Sequence, residues 1–140
     1  GSFKMDGGEV AANNVRASSA VNVKGSSASF EMTGGSVTAE ANGNETSIYA
    51  VSGSSSSIIK ISAGTISAPT ALSARTSNST ITGGTFTGTV TVKTGSITGG
   101  TFDTDVSSGL ADGLMLEWPD CSSYGDWCQC ENRRYSLSNF

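Results

Sequence analysis

The sequence predicts an all-β chain wound as a right-handed parallel β-helix, a solenoid of about five coils closed by a C-terminal cap. Three observations predict it. The stretch Ile81-Thr82-Gly83-Gly84-Thr85-Phe86 returns almost unchanged as Ile97-Thr98-Gly99-Gly100-Thr101-Phe102. Looser copies stand upstream as Met5-Asp6-Gly7-Gly8-Glu9-Val10, Met32-Thr33-Gly34-Gly35-Ser36-Val37 and Ile61-Ser62-Ala63-Gly64-Thr65-Ile66. The composition, with 18 Gly, abundant Ser and Thr and 14% charged residues, suits short strands and tight turns and gives no support to long helices.

Aligned on the second glycine (Gly8, Gly35, Gly64, Gly84, Gly100), the five copies share one template. An apolar residue precedes that glycine by three places, giving a column of Met5, Met32, Ile61, Ile81 and Ile97. A second column, Val10, Val37, Ile66, Phe86 and Phe102, follows it by two. The small pair between them turns a corner, because glycine takes positive φ and admits close backbone approach. Stacked coils lie roughly 4.8 Å apart, so each column becomes an inward ladder. Coils that change length while one corner stays fixed favour the right-handed form over a left-handed one, which would keep a stricter hexapeptide period.

Each coil reads as three short strands. The first alternates with period two, through Phe3 and Met5, Phe30 and Met32, then Ile59 and Ile61. The second runs through the Val10-to-Phe102 column. The third is predicted at Val21–Lys24, Ile48–Val51, Leu72–Arg75 and Val90–Lys93. An outward column of Lys4, Glu31, Lys60, Thr80 and Ser96 puts alternating charge on an exposed face, which supports register and is not a binding site. Asn42-Gly43-Asn44 and Ser52–Ser57 are predicted as projecting loops, and Ala68-Pro69 as a corner or edge.

After Phe102 the template breaks. Leu114, Leu116 and Trp118 are the candidate plug for an open solenoid end, and residues beyond Tyr124 are expected to be poorly ordered or an extended arm. Gly1-Ser2 reads as a cloning remnant, 3–113 as β-helix repeats and 114–140 as cap and tail. The upper edge of the first coil, with Phe3 and Met5, has nothing before it, which predicts self-association through the N-terminal coil.

The string from Ile97 through Phe102, Asp103, Asp105 and Leu110 to Gly113 resembles the closing coil of repeat regions in adhesin-like cell-surface proteins of gut bacteria. Those regions adopt a pectate-lyase-like right-handed parallel β-helix. The resemblance spans roughly 3–113 and implies an extracellular, bacterial cell-surface setting and a structural or adhesive role, with loops that bind carbohydrate or a host or cell surface. It also implies an alternative, a fragment of a polysaccharide-active lyase or glycosidase of the β-helix class.

The residues themselves favour a chain that is not an enzyme. With no His, imidazole catalysis is excluded. Carbohydrate cleavage on this fold needs acidic clusters, and the only candidates are Asp103, Asp105 and Asp112; no catalytic or cofactor site is assigned. The same three carboxylates are the weak candidates for a metal, calcium, which wants several oxygen ligands. Cys121, Cys128 and Cys130 make a poor zinc set unless Asp120 or Asp126 completes it; one disulfide with an odd thiol, or free thiols, are the other readings. Thr-x-Thr triplets at 80–82, 85–87 and 89–91 suit ice binding locally but fall on different sides of the coil. A net charge of −4 argues against nucleic acid or an anionic membrane as partner, and no apolar run of membrane-spanning length is present.

Overall fold

The computed structural model describes residues 1–15, 19–41, 43, 48–54, 56–117 and 135–139. The chain is all-β, and its strands join through parallel pairing into one sheet system. The strands are β1 (Ser2–Val15), β2 (Ser19–Lys24), β3 (Ser29–Ala41), β4 (Tyr49–Ser54), β5 (Ile58–Ile61), β6 (Thr65–Ala74), β7 (Asn78–Ile81), β8 (Thr85–Val92), β9 (Thr101–Phe102), β10 (Leu114–Glu117) and β11 (Tyr135–Asn139). A short 3-10 turn, Ser107–Gly109, lies between β9 and β10.

Three ladders organise these strands. Ladder A joins the first part of β1 to that of β3, then β5 and β7, with Met5 beside Met32, Met32 beside Ile61 and Ile61 beside Ile81. Single bridges carry it on to Ile97 and Leu110. Ladder B runs Val10, Val37, Ile66, Phe86, Phe102 through β1, β3, β6, β8 and β9. Ladder C pairs Val21 of β2 with Val51 of β4, then Leu72 at the end of β6 and Val90 at the end of β8. The register predicted for both apolar columns is the one observed.

Side chains from all three ladders meet in one buried cluster. Met32, Ile61, Ile81 and Ile97 are at most 1% exposed, as are Val37, Ile66, Phe86 and Phe102. Each such side chain contributes about 1.5–3 kcal/mol relative to exposure. The rings of Phe86 and Phe102 stack with centroids 5.0 Å apart, so ladder B gains aromatic contact as well as area.

The corner from ladder A to ladder B is the Gly-Gly pair. Its second glycine has φ between 79° and 111° in all five copies. Gly35 shows why no other residue fits: an added Cβ would meet the Gly8 carbonyl oxygen at 2.7 Å and Met5 Cε at 2.8 Å. The corner from C back to A is a four-residue turn repeated through the chain, in which Ala28, Ser57, Ser77 and Ser96 each donate to the carbonyl three residues earlier. Ser57 and Ser77 are fully buried there and share a 2.9 Å hydroxyl hydrogen bond.

Two expectations change and two are sharpened. Ser52-Gly53-Ser54 is not loop but the end of β4, paired with Asn22, Val23 and Lys24. It extends because Gly53 leaves the space that Ile59 and the Ser57–Ser77 pair occupy. Ser96 is buried rather than outward, since the chain passes straight from its turn into Ile97. Residues that sequence reasoning passed over also cover the last ladder positions: Val106 is 1% exposed, and Gly109 packs against Val92 and Ile97, while the plug candidate Leu114 is half-buried. Finally, of the two readings of the tail, poorly ordered or an extended arm, Tyr135–Asn139 takes the extended one as a strand. Tyr135 pairs antiparallel with Phe102, and β10 pairs antiparallel with β11. The Leu116 side chain and all of Trp118 lie outside the described residues.

Candidate functional site

Two regions concentrate the chemistry that could meet a partner: the outward faces of the ladders, and the edge formed by β1 and β2.

The outward face of ladder A carries the predicted charge column, with Lys4 beside Glu31, Glu31 beside Lys60 and Lys60 beside Thr80. On ladder B the outward positions flanking the apolar column are mostly hydroxyls. Ser36, Thr65, Thr85 and Thr101 stand in register, as do Thr38, Ser67 and Thr87. On ladder C, Ser52 links the strands by hydrogen bonds to Ser19 and Asn22. The three Thr-x-Thr triplets do fall on different ladders, because β8 bends from B to C between Thr87 and Thr89. The faces are thus polar, regular and mutually distinct.

The candidate carboxylates are placed next to the capping turn. Asp103 accepts a 2.8 Å hydrogen bond from the Gly88 N–H, and the Thr104 hydroxyl donates to the Gly88 carbonyl at 3.1 Å. Gly88 has φ 113°, and a Cβ there would collide with the Ala68 carbonyl oxygen. Together Asp103 and Thr104 hold the bend of β8 at Gly88 from both sides, opposite the extra residues of β6. Asp105 accepts hydrogen bonds from the Ser107 hydroxyl and the Ser107 N–H, the pattern of an Asx turn opening the 3-10 segment.

Those two bonds, the hydroxyl first, hold the Asp105 carboxyl below the usual carboxylate range. The lowered value means that its small contribution to stability is present above the ordinary range and is lost as pH falls through the lowered one. Asp112 sits exposed in the turn before β10. Among the described residues no three His, Cys, Asp or Glu side chains gather in a way that could hold a metal ion. Cys121, Cys128 and Cys130, with Asp120 and Asp126, lie outside the described residues.

The edge formed by β1 and β2 has a different character. Phe3 is 44% exposed, although its ring lies 5.4 Å from that of the buried Phe30. Beside it a hollow of about 370 Å³ is bounded by Phe3, Val21, Val23, Lys24 and Ala28. Among the described residues β1 pairs only with β3 and β2 only with β4, so both present unpaired edges here. No helix is long and apolar enough to cross a membrane among the described residues. The chain matches no protein-family model, no curated protein and no solved structure.

Proposed function

We propose that this chain is a structural and adhesive segment of a bacterial cell-surface protein, built as a right-handed parallel β-helix of about five coils. On this reading the ladders form a stiff rod, and its polar faces and loops contact carbohydrate or a partner surface outside the cell. The observation that carries it is the unbroken register of the apolar columns, with hydroxyls and alternating charge on the outward positions. A rod of this kind keeps its surface groups at fixed spacing, which a ligand with a repeating structure can exploit. Asp103 and Asp105 meanwhile serve the fold, gripping Gly88 and Ser107, which favours a binding role over polysaccharide cleavage.

A glycan array probed with the chain is expected to show binding to a subset of carbohydrates. An array and a surface pull-down that both stay empty would reduce the segment to a spacer. Cleavage of a polysaccharide panel, abolished when Asp103 and Asp105 are changed to Asn, would replace this reading with an enzymatic one. The chain is also expected to associate with itself through its first coil.

A further inference from the structure

We propose that the free edge of β1 pairs antiparallel with the β1 edge of a second copy, in one register: Lys4 opposite Glu9 and Phe3 opposite Val10. The inference rests on the β-helix reading, since it uses the three-sided shape of the first coil.

Three observations converge on this edge. It carries unpaired N–H and C=O groups along β1 and β2. It exposes Phe3 beside a hollow of about 370 Å³ that Val21, Val23 and Ala28 line together with Ser2, Asn22, Lys24 and Ser29. Its exposed charges are Lys4 and Asp6 on one side of the glycine corner and Glu9 on the other; in the proposed register Asp6 faces Gly7. An edge of this kind is a template for another strand, and a copy of the same edge is self-complementary only about a two-fold axis. The axis reverses strand direction, so ladder A of one copy lies over ladder B of the other.

Inward residues must face inward residues, which leaves few registers. Met5 and Val10 lie inward, as does Phe3 over Phe30, while Lys4 and Glu9 lie outward. Placing Phe3 against Val10 puts Lys4 against Glu9, and the symmetry makes each pair twice. Sliding by one step, to Met5 against Val10, opposes Asp6 to Glu9, two like charges. Sliding again leaves Lys4 facing Asn13. The first register is the one that charge selects. The same axis passes out through the middle of ladder C, where Val21-Asn22-Val23 meets its own copy and closes the hollow.

The test is sedimentation velocity on the 140-residue chain, under reducing conditions so that Cys121, Cys128 and Cys130 cannot link copies. The chain should form a dimer. Glu9→Lys, which faces Ser36 within its own copy, and Lys4→Glu should each weaken the dimer about tenfold or more, and the double swap should restore it. A monomer at every concentration, or a dimer indifferent to both single reversals, would overturn the proposal. Hydrogen exchange on the same samples separates the two readings. Protected ladder amides in a monomer defeat the pairing alone, whereas unprotected ladder amides defeat the β-helix itself.

Discussion

The corner between ladders A and B and the corner between ladders B and C solve the same turning problem in opposite ways. The first never changes: Met5 to Val10, Met32 to Val37, Ile61 to Ile66, Ile81 to Phe86 and Ile97 to Phe102 all use the same Gly-Gly or Ala-Gly step. The second stretches from Val37 to Val51 in one repeat and shrinks to Phe86 to Val90 in another, yet both ends stay in register. Between β6 and β8 the difference is taken up as register shifts around Ala68, Pro69 and Ala71 opposite Gly88. Length variation is thus greatest at this corner, absent from the glycine corner, and smaller from ladder C to ladder A, where Val21 to Met32 shortens to Val90 to Ile97. The chain keeps a constant backbone conformation where ladders must be aligned and spends its variable residues where alignment can be regained.

Inserting one residue is the bluntest way to break this comparison. An alanine inserted between Gly83 and Gly84 would turn Phe86 outward and break its register with both Ile66 and Phe102, so cooperative thermal unfolding should be lost. The same insertion between Pro69 and Thr70 falls at an existing register shift and should cost about 1 kcal/mol or less. Equal damage from both would show that the corners do not differ.

The glycine step itself comes next. Gly35→Ala meets positive φ and three contacts under 3 Å, and should cost about 3 kcal/mol in denaturant unfolding. Gly7→Ala has open space around it and should stay within about 0.5 kcal/mol. At the variable corner, Asp103→Ala removes the half-exposed acceptor that secures Gly88 and should cost about 1–2 kcal/mol, seen also as faster amide exchange at Gly88. A smaller change of opposite sign is expected within ladder A. Ser79 stands in the inward column after Phe30 and Ile59, and its buried hydroxyl has no hydrogen-bond partner among the described residues. Ser79→Ala should stabilise the chain by up to about 1 kcal/mol, and a destabilised variant would mean that the hydroxyl has a role in the core.

The contrast between corners also accounts for what the sequence made legible. A glycine step of constant length prints itself as a repeat, so both apolar columns and their register could be read from Met5 to Phe102. The variable corner leaves no such mark, and the Gly88 bend with its Asp103 and Thr104 clamp went unseen. So did the buried serines of the C-to-A turn: Ser57 read as a loop residue because hydroxyls normally face water, and only its hydrogen bond to Ser77 makes burial tolerable. Val106 was missed because one valine among Asp, Thr and Ser carries no period. The candidate carboxylates were found as residues but not as roles, since sequence cannot say that Asp103 reaches back across the stack to a glycine.

The antiparallel strand Tyr135–Asn139 has a consequence for growth. A pile of like-directed repeats is a polymer in waiting, with two live fronts at which identical units can add. Here one front is terminated: the added strand opposes the direction of the others, covers ladder B alone, and leaves ladders A and C to end at Leu110 and the 3-10 turn. An incoming repeat would meet β11 and, outside it, β10 over ladder B in place of three like-directed strands. Among the described residues the β1 side carries the like-directed front, and two molecules joined there would exhaust each other's live front. The predicted end point is a closed pair that does not seed fibres.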